Sequence, residues 1–413
     1  MSKRILLIGT FDTKGEEYAF VRQRIESRGH TVVTVNIGVM GSARYVEPDW
    51  DADAVASAAG ASVHDLRERQ DRGMAMTVMS RGASALIRDL YAKGEFQGIL
   101  GMGGTGGTSV IGAAMRGLPI AVPKVLVSTA ASGDTRAIVD TKNITLFPSV
   151  VDVAGLNRIS RSIYEQAAGA ICGMVDMEPE SARSESDRPI VAITMFGNTT
   201  ECVNRCREQL TQAGYECLVF HCTGTGGRTM EDLVRDGMVA ALLDITTTEW
   251  ADELCGGVFT AGPHRLEAAG EAGIPHLIVP GCIDMVNFGG EETVPLQYRS
   301  RKLVVWNPSV TLMRTNVEEN ARLGQIFAEK ANAAKGPVQV LLPQKGVSIL
   351  DSEGNDFWWP EADRAMFAAL KSNLRKDIPV AEIDANINDP AFADAAVELL
   401  LEMIKSKRCS ISS

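Results

Sequence analysis

The 413-residue chain has no apolar run approaching the roughly 18 residues that a membrane-spanning helix needs. Its opening, MSKRILLIG, is basic and then apolar for only about five residues, too few for a signal-peptide core. That stretch reads as a first β-strand, and a cytoplasmic protein is expected. A basic excess is also lacking: the net charge is −11, which argues against a nucleic-acid or acidic-membrane partner. It does not argue against a small phosphorylated ligand, because a few local donors suffice for one. The eight cysteines form no C-x-x-C pair and sit mostly in apolar segments. Buried reduced thiols are expected, and no metal site.

The length exceeds one ordinary core, so two domains are expected. Strand-like runs at 5–9, 31–38, 98–102, 121–128 and 144–147 alternate with helical stretches such as EEYAFVRQRIESRG and SRGASALIRDLYAKG. This alternation indicates βαβ units around a parallel sheet. MEPESARSESDRP (177–189) has no apolar period and reads as a linker. The alternation then restarts with PIVAITMF, YECLVFHC, VAALLDIT, IPHLIVPG and KLVVWNP. The expected boundaries are 1–178 for an N-terminal α/β domain, 179–188 for the linker and 189–413 for a C-terminal α/β domain with a helical end.

The two halves overlay. With Phe11 placed on Phe196, Glu16 meets Glu201 and Gly29 meets Gly214. Further on, GILGMGGTGGT falls opposite AALLDITTTEW. The fold class is therefore α/β, two Rossmann-like domains with mostly parallel sheets. The likeness suggests duplication, although βαβ physics alone makes part of it cheap.

Five of the eight residues from Gly101 to Thr108 are glycine. At a strand end such bare backbone admits an anion closely and tolerates positive φ, and the helix start that follows favours phosphate. Gly103, Gly104, Thr105, Gly106, Gly107, Thr108 and Ser109 are the candidate cradle, with a hydroxyl available to a phosphate-bound magnesium ion. Gly101, Gly103 and Gly106 fit G-x-G-x-x-G, but no acid follows about twenty residues later and no Walker lysine is present. A glycine turn that merely packs helix on sheet is the alternative.

Two more loops share the pattern. GTFDTKGEE offers Thr10, Asp12, Thr13 and Lys14, with Lys14 suited to a phosphate and Asp12 to a ribose hydroxyl or a metal. Thr13 and Glu16 also fit a capping box. VSTAASGDTRA offers Ser132, Gly133 and Asp134.

GTFDTKGEE, GMGGTGGTS and STAASGDT resemble the motifs of an ATP-binding family of otherwise uncharacterised proteins, named after the tomato-mosaic-virus resistance protein and rich in bacterial members. PGCIDMVNFG and LLPQKGVS resemble its second half. The resemblance covers essentially the whole chain. It implies an N-terminal ATP-binding domain, with ATP near Thr10, Lys14, Gly103 to Ser109 and Ser132 to Asp134, a second α/β domain, and a homodimer. It implies no reaction.

Opposite the glycine turn the second domain carries DITTTEW, whose hydroxyls and carboxylate suit a small polar molecule. A second glycine-rich turn, HCTGTGGRT, lies nearby. Candidate catalytic residues are Glu249 and His221 as bases, Cys282 as a nucleophile, and Asp284 as an acid/base partner of Glu249. Three functions compete: an enzyme using Mg-ATP on a substrate held in the second domain or between the domains, a non-catalytic nucleotide-binding regulator, and a nucleotide-independent lyase or hydrolase of small acids.

Overall fold

The structure is a computed structural model and describes residues 2–177 and 188–411. The chain divides into two compact units, Met1–Glu185 and Ser186–Ser413. The expected linker, 179–188, lies outside the described residues except for Arg188.

Unit 1 runs β1 (Arg4–Gly9), α1 (Phe11–Glu26), β2 (Thr31–Asn36), α2 (Ala52–Ala58), α3 (Val63–Arg69), α4 (Arg72–Ala92), β3 (Gly98–Gly103), α5 (Thr105–Arg116), β4 (Lys124–Ser128), α6 (Arg136–Val139), β5 (Thr145–Pro148) and α7 (Arg158–Asp176). Its five strands are all parallel, in the order β2-β1-β3-β4-β5. Strands of a sheet covered on both faces read as continuous apolar runs, and β3 is buried throughout. Leu6, Ile8 and Ile99 face Ala83 and Ile111, on the side of α4 and α5. Ile5, Leu7 and Leu100 face Val21 and Ile171, on the side of α1 and α7.

Unit 2 runs β6 (Ile190–Met195), α8 (Thr200–Gln212), β7 (Glu216–His221), α9 (Thr225–Arg235), β8 (Ala241–Thr246), α10 (Glu249–Cys255), α11 (Ala268–Ala272), β9 (His276–Gly281), β10 (Met285–Phe288), β11 (Leu303–Asn307), β12 (Val310–Arg314), α12 (Val317–Asn332), β13 (Val338–Pro343), α13 (Pro360–Asn373), β14 (Val380–Ile383) and α14 (Pro390–Ile411). Its parallel sheet has the order β14-β13-β9-β8-β6-β7. Read from β7, this begins with the same permutation as unit 1. Gly29 and Gly214, matched in the sequence overlay, both end a helix with φ near +90°.

Two expectations change. KLVVWNP is not a strand of the parallel sheet. It forms β11, the edge of a separate antiparallel sheet β10-β12-β11 inserted after β9, and the parallel sheet continues through β13 and β14 instead. Thr13 is not an N-cap: α1 already starts at Phe11, Thr10 precedes it, and the Thr13 hydroxyl turns back to Thr10 Oγ1 at 3.0 Å.

Candidate functional site

In an open parallel sheet, ligands bind beyond the carboxyl ends of the strands, where connections leave in opposite directions. In unit 1 that point lies between β1 and β3. The two strands pair as far as Ile8 and Gly101 and then part. Tyr18 of α1 sends its hydroxyl into the gap, 2.6 Å from Ile8 O and 2.7 Å from Met102 O, and accepts the Met102 N–H at 2.6 Å. Burial pushes this phenol far up, so it stays protonated. A Cβ on Gly9 would lie 2.0 Å from the Tyr18 ring, so Gly9 and Tyr18 together set the spacing of the strand ends.

The glycine turn after β3 divides into two kinds of position. A Cβ on Gly101 would approach Ile111 Cγ2 at 2.5 Å, and one on Gly103 would approach Gly107 Cα at 3.1 Å, so packing requires these two. A Cβ on Gly107 would meet nothing within 4 Å. On Gly104 it would meet only Thr129 Oγ1, at 3.9 Å, and on Gly106 its nearest neighbour would be Arg72 Nη2, at 3.6 Å. None of the five has positive φ, contrary to expectation. Neither packing nor backbone conformation therefore explains Gly104, Gly106 and Gly107. They form the N-cap and first turn of α5, whose leading amides have no intrahelical acceptor. Thr105 and Ser109 are exposed beside them.

Arg72, the first residue of α4, escapes sequence reading. It is exposed, and among the described residues no acceptor takes its guanidinium. Only the packing of α4 against α5 brings it to the glycine turn, so no local signal marks it.

Several predicted ligands are engaged elsewhere. The Thr108 hydroxyl is buried against Ser128 Oγ at 2.6 Å, where it ties the first turn of α5 to the end of β4. Lys14 Nζ donates to the Val153 carbonyl. Asp12 Oδ2 accepts the amides of Met40 and Gly41 at 2.9 and 3.1 Å and so anchors the loop after β2. Asp134 pairs on the surface with Arg136, 2.6 Å away, which lowers its carboxyl to about 2. Ser132 and Gly133 are exposed, and Thr10 is half-buried.

In unit 2 the corresponding strand ends are sealed. Thr246, Thr247 and Thr248 are fully buried. Their hydroxyls bond to Thr199 Oγ1 at 2.7 Å, Val279 O at 3.0 Å and Met285 O at 3.2 Å, so they are not offered to a ligand. Glu249 is a structural anion rather than an accessible base. Its Oε1 accepts the amides of Gly224 and Gly227 at 2.9 and 3.1 Å, and its Oε2 accepts Arg265 Nε at 2.7 Å. Burial pushes this carboxyl up, against the opposing pull of Arg265. Arg265 is itself buried and grips Asp244 through two bonds of 2.6 Å. Burial would raise the Asp244 carboxyl, but the guanidinium outweighs it and holds the group well below the carboxylate range.

The other expected catalytic residues do not join Glu249. His221 is exposed, packs tilted against Phe196 with ring centroids 5.3 Å apart, and has its pKa lowered by partial burial. Burial, then the neighbouring Asp284 charge, pushes the Cys282 thiol far up, which removes it as a thiolate nucleophile. Asp284 belongs to a second network with Ser348, Asp351, Asp363 and Arg314, so the expected Glu249–Asp284 pair does not form. No three His, Cys, Asp or Glu side chains gather as a metal site among the described residues.

Known proteins resemble this chain along both units. The N-terminal domain model of an uncharacterised protein family (UPF0261) matches residues 3–180, and the C-terminal domain model matches residues 188–404. A UPF0261 protein of Clostridium tetani (strain Massachusetts / E88) is 47% identical over 406 residues, covering 98% of this chain and 100% of its own. The ToMV resistance protein Tm-1(GCR237) of Solanum lycopersicum is 40% identical over 432 residues, covering 98% of this chain and 56% of its own. Among solved structures, a UDP-N-acetylglucosamine 2-epimerase from Rickettsia bellii aligns over 98% of this chain and 96% of its own, at 12% identity and a TM-score of 0.24. A score that low carries no argument about activity.

Proposed function

The chain belongs to the uncharacterised protein family UPF0261, and because that membership assigns no reaction, we propose a function from the site itself: unit 1 binds the polyphosphate of a nucleotide, ATP with its magnesium ion, at the first turn of α5. One observation carries this reading. Gly104, Gly106 and Gly107 leave bare backbone at a helix start where neither packing nor φ asks for it. Close approach of a ligand is the remaining reason for three such positions. Free amides, the positive end of the helix dipole and the Arg72 guanidinium all favour an anion. Their place beside the β1/β3 parting is where an α/β sheet binds nucleotides. The donor set fits phosphate oxygens, and the magnesium ion would arrive on the phosphates, with Thr105 or Ser109 as its nearest hydroxyls.

Titration calorimetry with Mg-ATP tests the reading. Gly107→Ala adds one methyl group in open space, so the fold should persist while affinity falls at least about tenfold, or about 1.4 kcal/mol. Arg72→Met should weaken binding as well. A Gly107→Ala protein that binds Mg-ATP as tightly as the parent removes the turn from the site.

A second reading is favoured by unit 2. Glu249, the expected base, is held in a buried ion-pair network, and Cys282, the expected nucleophile, is buried in an apolar cluster. Nucleotide binding without turnover, as in a regulator, accounts for that. ATP consumption in the presence of candidate small molecules separates the two.

A further inference from the structure

At the carboxyl end of β9 two buried oxygens have no hydrogen-bond partner among the described residues: Asp284 Oδ1 and Asn198 Oδ1. Asp284 is fully buried, and its other oxygen accepts the Ser348 hydroxyl at 2.8 Å. Asn198 is equally buried and sits over the same segment. Its Nδ2 lies 3.5 Å from Sδ of Met285, the residue after Asp284, and its backbone carbonyl accepts the amide of Ile349, the residue after Ser348, at 3.2 Å. Burying a polar atom without a partner is costly, so such atoms in a well-packed region call for a donor.

The surrounding charge says what kind. Asp284, Asp351 and Asp363 stand against one buried cation, Arg314, which bonds Asp351 Oδ1 at 3.2 Å and Asp363 Oδ1 at 2.9 Å but does not reach Asp284. The Cys282 thiol, kept neutral by burial, also stands beside Asp284. Three carboxyls to one guanidinium leave excess negative charge. Burial, then the Asp351 charge, raises Asp284 to about 7 and Asp363 to about 8, so protons compensate that excess at neutral pH. A bound cation would do the same.

We propose that this end of unit 2 binds a small primary ammonium group, with Asp284 Oδ1 and Asn198 Oδ1 as its acceptors. With Asp284 ionised, both unmatched atoms accept, and an ammonium supplies donors and charge together. Water would supply donors without charge. A divalent metal would need ligands that do not gather here. This site is independent of the nucleotide reading of unit 1.

Thermal unfolding of the full chain in methylammonium chloride tests it, against tetramethylammonium chloride at equal concentration. The latter has the same charge and no N–H donor. Methylammonium should raise the melting temperature by about 3 °C or more at pH 8, and less at pH 6, where a proton holds Asp284. Asn198→Ala loses only a weak side-chain contact, so it should fold and show at least a tenfold weaker methylammonium response. Asp284→Asn, where it folds, should show none. Equal effects of the two salts, an equal response to ethylene glycol, or an unchanged Asn198→Ala response would each overturn the proposal.

Discussion

The tetrapeptide Gly-Thr-Gly-Gly opens a helix twice in this chain, at 104–107 before α5 and at 224–227 before α9. The two copies differ in what stands against them. In unit 2 the Glu249 carboxylate occupies the turn, taking two of its amides, and a Cβ on Gly227 would lie 2.2 Å from Glu249 Oε2. In unit 1 no carboxylate among the described residues bonds to the turn, and a Cβ on Gly107 would meet nothing within 4 Å. The caps differ too, since Gly224 has φ 80° whereas Gly104 has φ −74°. The same four residues are thus an internal anion cradle in one unit and an outward-facing helix start in the other. The internal copy shows that this segment can hold a carboxylate, and it supports an external anion as the ligand of the open copy.

The comparison breaks most visibly at Arg265. That guanidinium neutralises the anion in the closed cradle and also holds Asp244 and Glu231. Arg265→Leu leaves Glu249 and Asp244 buried without their guanidinium, while Glu231 keeps Arg235 at 3.5 Å, so unit 2 should lose about 3–5 kcal/mol or fail to fold. Urea denaturation measures this, and a loss under about 1 kcal/mol would show that the cradle does not depend on its counter-ion. The matched alanine substitutions sharpen the contrast. Gly227→Ala drives a methyl group into Glu249 and should destabilise unit 2 by about 1–3 kcal/mol. Gly107→Ala should leave unit 1 as stable as before, or more stable by up to about 1 kcal/mol, because alanine suits a helix better than glycine. Equal stability losses at both positions would abolish the distinction between the two turns.

Much of the frame was readable from hydrophobic periodicity. The strands of unit 1 and the first four of unit 2 fall where apolar runs stand between glycine-marked helices, because a strand buried on both faces needs such a run. KLVVWNP carries the same apolar signal yet pairs antiparallel, since a run of that kind does not name its partner. At the site, the glycine turn was legible and its side chains were not. Thr108 and Thr246 to Thr248 read as free donors, but which side of a strand end a hydroxyl faces is set by neighbours remote in sequence. Glu249 reads as a reactive acid because its partner Arg265 lies sixteen residues away, beyond any helical spacing. Arg72 is invisible for the same reason, as tertiary packing alone brings it to Gly106.

Acidity distinguishes the units further. Burial raises Asp252 and Asp284 to about 7 and Asp363 to about 8 from an ordinary value of 3.8. All three lie in unit 2. Between pH 4 and 8 the folded unit therefore binds more protons than the unfolded chain, and its stability should fall as pH rises through that window. Each group contributes a slope of at most about 1.4 kcal/mol per pH unit. Asp244, held low by Arg265, acts in the opposite sense and only in acid. Tryptophan fluorescence follows unit 2 well, because Trp250, Trp306, Trp358 and Trp359 lie there and only Trp50 lies in unit 1. Urea midpoints that stay level or climb from pH 5 to pH 8 would count against the buried carboxyl clusters.

The smallest expected effect concerns Lys14, which in sequence looks like a phosphate ligand. In the structure it interrupts α1 with φ −130°, and its ammonium donates to the Val153 carbonyl in the connection from β5 to α7. Glu17, one turn on, accepts the Gly155 amide of the same connection at 2.5 Å. These two bonds fasten that connection to α1. Lys14→Ala removes one of them while Glu17 keeps its own, so stability should fall by only about 1 kcal/mol. If the anion is held by the α5 amides and Arg72, Mg-ATP affinity should change less than about threefold, under 1 kcal/mol. A tenfold loss in titration would mean that Lys14 leaves Val153 when nucleotide binds. The open turn would then recruit a side chain as its internal counterpart recruits Arg265, and the contrast between the two cradles would narrow to the source of their anion.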